Sequence, residues 1–75
     1  MTGAHYEIVV KGRLGAAMIR SIGDVEVRAS GPDATYLRGW FADQAALHGV
    51  LRQLSDLGIE LSSVRRLLDA TPDGV

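Results

Sequence analysis

Apolar and polar positions alternate in two different rhythms along this chain. In DQAALHGVLRQLSDL, residues 43–57, Ala46, Leu47, Val50, Leu51, Leu54 and Leu57 recur at steps of three and four. That is the repeat of a one-sided helix, and such a helix needs a partner surface. Asp43 suits its start, because its carboxylate can accept from first-turn amides and opposes the positive helix end favourably. Gly58 suits its stop, where a left-handed residue ends the spiral. Gln44, His48, Arg52, Ser55 and Asp56 make up most of its wet side.

Around this helix the rhythm shortens to two. HYEIVVK, residues 5–11, puts Tyr6, Ile8 and Val10 on one side of a strand and His5, Glu7, Val9 and Lys11 on the other. Gly12 ends it. Leu14, Ala17, Met18 and Ile22 then fall at helical spacing, predicting a short helix over 14–21. A second strand is expected over 24–30, with Val25, Val27 and Ala29 facing together. Ser30-Gly31-Pro32-Asp33 is a turn cluster, so the next strand, 34–40, should return beside it as an antiparallel hairpin. There Tyr36, Arg38 and Trp40 share one face and Thr35, Leu37 and Gly39 the other.

The final segment carries both rhythms. Ile59, Leu61 and Ser63 alternate, but Val64, Leu67 and Leu68 move to helical spacing. The reading adopted is a strand over 59–66 with a phase slip near Ser62-Ser63, as a bulge produces; a helix over 61–69 is the alternative. Residues 70–75 read as a loose tail.

The order β-α-β-β-α-β predicts an α+β, ferredoxin-like domain with a core over 5–68. Two right-handed crossovers interleave into a four-stranded antiparallel sheet with both helices on one face. The opposite face then has no cover within the chain. Large side chains there would make a docking surface.

Composition narrows the functional classes. Seventy-five residues make one domain, and a chain this short buries only roughly 60% of its unfolded surface. No cysteine is present, so neither a disulfide nor a thiolate metal site can reinforce it. The two histidines, His5 and His48, lack metal-ligand spacing. No cofactor or metal is therefore expected, and oligomerisation, most simply a homodimer, is the natural way to add buried area. Eight basic residues against nine acidic ones leave a net charge of -1, which argues against a bare polyanion such as nucleic acid as partner. The chain lacks the ~18 consecutive apolar residues of a membrane span and a secretory-type opening, so a cytoplasmic location is expected.

Candidate chemistry is sparse. No catalytic residue is nominated, since a triad assembled from His48, Asp43 or Asp56 and a serine would need geometry that spacing cannot supply. Lys11, Gly12, Arg13 and Gly15 form a glycine-punctuated basic loop leading from strand to helix, a place where free amides can hold an anion. It lacks the spacing and terminal Lys-Ser or Lys-Thr of a nucleotide P-loop, so the motif is weak, and the plainer reading is a tight turn whose lysine and arginine face water. Trp40-Phe41 is the other singularity. Alternation sends one ring towards the helices and the other to the open face or edge; the plainer reading of the pair is a cap on the core, and the other is an aromatic anchor, with Tyr36, for a partner chain.

Two resemblances are carried by these residues. Tyr6-Glu7-Ile8-Val9-Val10-Lys11-Gly12-Arg13-Leu14, Leu37-Arg38-Gly39, Asp43-Gln44-Ala45-Ala46-Leu47-His48-Gly49-Val50-Leu51 and Leu57-Gly58-Ile59-Glu60-Leu61 are similar to a family of small actinobacterial proteins to which no activity is attached. The element order resembles ferredoxin-like and ACT-type regulatory domains. That second resemblance implies pairing in dimers and small-metabolite binding near the loop after the first strand, where Gly12 to Gly15 stand; the usual Pro-Gly of that loop is absent here. The readings that emerge are a non-enzymatic homodimeric interaction or regulatory module and, as the alternative, a small-molecule or anion sensor.

Overall fold

A computed structural model describes residues 3–23 and 25–67. The order is β1 (Ala4–Lys11), α1 (Ala16–Ile22), β2 (Glu26–Ser30), β3 (Ala34–Phe41), α2 (Gln44–Asp56) and β4 (Leu61–Arg66). The strands form one antiparallel sheet in the order β2-β3-β1-β4. This is the ferredoxin-like arrangement that the alternating rhythms predict. The tail expected over 70–75, and Leu68 and Asp69 of the alternative helix, lie outside the described residues.

The core is the product of period-two strands meeting period-3.6 helices. Ile8 and Val10 from β1 and Leu37 and Phe41 from β3 pack with Ile22 of α1 and Leu47 and Leu54 of α2. All seven are buried, so both helices cover the same sheet face. Thr35 is buried as well, and its hydroxyl donates to the Gly12 carbonyl at 2.7 Å, which keeps it from being an orphaned polar group. The same turn is tied by the Gly12 amide to the Asp33 carbonyl at 2.9 Å.

Helix α2 begins and ends as its sequence dictates. The Asp43 carboxylate accepts from the Ala46 amide at 2.8 Å, satisfying one of the donors a helix start leaves open. At the other end Gly58 has φ +77°, its amide donates to Ser55, and the Ile59 amide donates back to Leu54. That pair of bonds is a Schellman closure, and Ile59 completes it by packing on the core that contains Leu54.

Several details depart from the sequence expectations: β2 begins at Glu26 rather than 24, β3 runs to Phe41 rather than 40, and β4 begins at Leu61 rather than 59. The first strand starts at Ala4. The first helix runs 16–22 rather than 14–21, because Gly15 takes extended dihedrals as the N-cap and offers no side chain to cap with. The hairpin loop is three residues, 31–33, closed by the Gly31 amide donating to Ala34 at 2.8 Å. In β2 a register shift leaves Arg28 unpaired between Val27, opposite Leu37, and Ala29, opposite Tyr36. The expected grouping of Val27 with Ala29 is thereby broken, since cross-strand partners share a face. The bulge expected near Ser62-Ser63 is present: Val9 pairs with Ser63 and Val10 with Leu61, leaving Ser62 unpaired, and residues 61–66 are strand rather than helix.

Candidate interaction surface

The side of the sheet away from the helices is built by the other half of each alternation. Register fixes its rows. Across the middle, Glu26 of β2 pairs with Arg38 of β3, Arg38 with Glu7 of β1, and Glu7 with Arg65 of β4. One row therefore reads acid, base, acid, base through all four strands. On one side of it, Trp40 stands opposite His5. On the other, Tyr36 stands opposite Val9, with Ala29 and Ser63 at the flanks.

Trp40 and Tyr36 are 53% and 40% exposed, whereas neighbouring Phe41 is 4% exposed. The alternation thus separates the two adjacent rings. Phe41, a candidate for the interface on sequence, instead packs in the core, with its ring edge-on to Tyr6 at 6.0 Å between centroids. The Trp40 indole lies against the Gly3 backbone, where a Cβ would collide with it and with the Phe41 carbonyl oxygen. Glycine there holds the indole close to the sheet.

Within the charged row the pairing is uneven. Arg65 Nε meets Glu7 Oε1 at 3.0 Å, and the Glu7 side chain is only 17% exposed. Glu26 turns along its own strand to Arg28, at 3.3 Å between Oε2 and Nη1. Arg38, between two carboxylates in register, makes no ion pair among the described residues, and its Nε is buried without a hydrogen-bond partner. A buried donor left unmade costs about 1–3 kcal/mol. Together with His5, Val25, Glu26, Gly39 and Trp40, Arg38 lines a shallow cleft of about 300 Å³.

The basic loop has a different setting. Lys11 Nζ is engaged by Glu60 Oε2 at 3.3 Å, with both side chains largely exposed. Gly12, at φ +84°, makes the turn, Arg13 is exposed, and Gly15 caps α1. Lys11 and Arg65 are each paired with a carboxylate, Glu60 and Glu7, so they do not form a continuous basic edge. Two further clefts lie elsewhere. One, of about 310 Å³, is bordered by Tyr6, Asp43, Gln44 and Arg66, where Gln44 Nε2 donates to the Tyr6 hydroxyl at 2.9 Å. The other, of about 320 Å³, lies between Ile22, Trp40, Phe41, Ala46 and Val50 and is mainly apolar, so Trp40 borders clefts on both sides of the sheet edge.

Sequence reasoning named Tyr36 and Trp40 but missed the charged row. Its members are 58 positions apart at the extremes, Glu7 to Arg65, and only strand register brings them together. Among the described residues no group of three or more His, Asp or Glu side chains is placed to hold a metal ion. Nor is any helix among them long and apolar enough to cross a membrane.

Fold and surface together define a small ferredoxin-like α+β domain with one face of its sheet uncovered among the described residues. Its sequence belongs to the family described as domain of unknown function DUF8691, whose profile matches residues 5–65. No curated protein and no solved structure is matched by the chain.

Proposed function

We propose that this domain is a non-enzymatic homodimeric interaction module that acts through the sheet face opposite its helices. One observation carries the reading: Trp40 and Tyr36 stand exposed on that face, on either side of Arg38, with Val9 beside Tyr36. Aromatic side chains bury about 150–250 Å² each when wholly covered, of which Trp40 and Tyr36 still have about half and two-fifths to give, and rigid exposed rings are favoured anchors for partner chains. A thin single core also gains from burial between chains. The alternative, an anion or metabolite site at Lys11, Gly12, Arg13 and Gly15, draws less support because Lys11 and its partner Glu60 are both largely exposed there, an open edge rather than an enclosed site.

Native mass spectrometry of the full chain, with and without Trp40→Ser, tests the proposal. The expected result is a dimer for the native chain with no retained small molecule, and a monomer for the variant. A native chain that stays monomeric at high micromolar concentration, or a monomer carrying a bound metabolite, would overturn it.

A further inference from the structure

We infer that the two copies meet about a two-fold axis that runs along the strands and passes between β3 and β1, so that Arg38 of each faces Glu7 of the other. This rests on the homodimer reading above and adds the geometry of the pairing.

The order of charges sets the first constraint. Across the open face the row is Glu26, Arg38, Glu7, Arg65 in the strand order β2-β3-β1-β4. A symmetric dimer formed face to face has its two-fold axis parallel to the sheets, and every residue that meets another is met by it in return. If the axis ran across the strands, along the row, each charge would face its own copy, acid on acid and base on base. If it runs along the strands, the row is reversed in the second copy. Glu26 then faces Arg65, Arg38 faces Glu7, and all four contacts are between opposite charges. An even row of alternating sign, centred between its second and third members, is self-complementary under this operation alone of the two.

The rows on either side agree with the same axis. Exchange of β3 with β1 brings Tyr36 opposite Val9 of the second copy, apolar on apolar, and Trp40 opposite His5. The scale also fits. Strands lie about 4.8 Å apart, which puts Arg38 and Glu7 each roughly 2.4 Å from the axis and Glu26 and Arg65 roughly 7 Å from it. Packed sheets keep their strand directions within about 30° and stand about 10 Å apart, a gap that long Arg, Glu and Trp side chains span. Alignment of that order needs an axis inclined by only about 15° from the strands.

Arg38 supplies a second, independent reason. It sits at the centre of the row, yet its Nε is buried without an acceptor while the two carboxylates in register with it are turned to Arg28 and Arg65. The buried Nε is beyond a facing chain's reach, but the half-buried guanidinium has no ion-pair partner among the described residues, and a facing carboxylate at its outer nitrogens would supply one in a charge-assisted bond, stronger than a neutral one. Among the described residues, Glu7 is the carboxylate that the two-fold brings to that place.

The test is a charge-reversal mixing experiment on the full chain, read by native mass spectrometry and sedimentation. Arg38→Glu alone sets the introduced carboxylate against Glu7 twice, and Glu7→Arg alone sets the introduced guanidinium against Arg38 twice. Each single variant is expected to weaken self-association by about 100-fold. Mixed in equal amounts, the two are expected to form a heterodimer within about tenfold of the native affinity. The outer pair, Glu26→Arg with Arg65→Glu, repeats the design on the edge strands; because Arg65 also pairs with Glu7 within its own chain, denaturant unfolding of each variant is measured beside its association. Single variants that associate as well as the native chain, while Trp40→Ser abolishes association, would overturn the axis and leave the open-face reading standing. A mixture that recovers no heterodimer would likewise overturn it. A native chain that is monomeric throughout would remove the homodimer reading itself.

Discussion

The two faces of one sheet are made from the same two central strands, and they follow different rules. Towards the helices β1 and β3 present Ile8, Val10, Leu37 and Phe41, all buried, with Thr35 tied off by a hydrogen bond. Away from them the same strands present Glu7, Arg38, Tyr36 and Trp40, with carboxylate and guanidinium interleaved between rings. The inner face is completed within the chain, because α1 and α2 bring Ile22, Leu47 and Leu54 to it. The outer face holds a well-registered but incompletely paired set of charges flanked by exposed rings. Aliphatic packing ranks states by volume and area, whereas alternating charge ranks them by register. The inner face therefore specifies the fold, and the outer face suits the choice of a partner.

Substitutions on the two faces should separate these roles. The largest effect belongs to the inner face: Leu37→Ala, at a fully buried position, is expected to destabilise the domain by about 2–5 kcal/mol. Denaturant unfolding checks this, and the loss should persist at dilutions where only monomer remains. Next in size are two changes in α2 that act in opposite directions. Asp43→Ala removes the carboxylate that accepts from Ala46 and should cost about 1 kcal/mol. Gly49→Ala meets nothing within contact distance of the new methyl and should add about 1 kcal/mol through helix propensity. Thermal melts of the pair would show one midpoint falling and the other rising. The smallest effect on the monomer belongs to the outer face: Tyr36→Ser, at a 40% exposed position opposite Val9, should cost the monomer no more than about 1 kcal/mol, while under the homodimer proposal self-association weakens measurably. A loss of monomer stability as large as that of Leu37→Ala would erase the distinction between the faces.

Much of the inner face was legible in the sequence, because it depends on local periodicity. Six elements in the right order, the Asp43 cap, the left-handed Gly58 and the bulge at Ser62 all follow from residue type and spacing within a few positions. The bulge at Arg28 was not legible, since Val25, Val27 and Ala29 alternate without interruption and only the pairing with β3 shows Arg28 left out. Nor could Trp40 and Phe41 be assigned to faces from their neighbours. That required knowing that Leu37 lies under the helices, after which Phe41 follows by parity. The charged row was least legible of all. Glu26, Arg38, Glu7 and Arg65 come from four strands, and a slip of one residue in any pairing would scatter them across both faces.

If the outer face meets a second copy of itself, the chain carries its own reporter of the event, because its single tryptophan is Trp40. Tryptophan emission recorded alongside sedimentation through a dilution series reads that contact from the row beside Arg38. The dimer-to-monomer change in mass and a red shift in emission are expected to share one midpoint, as the indole passes from a covered to a hydrated setting. A halving of mass with unchanged emission would put the interface elsewhere, and the pairing of open faces would be wrong.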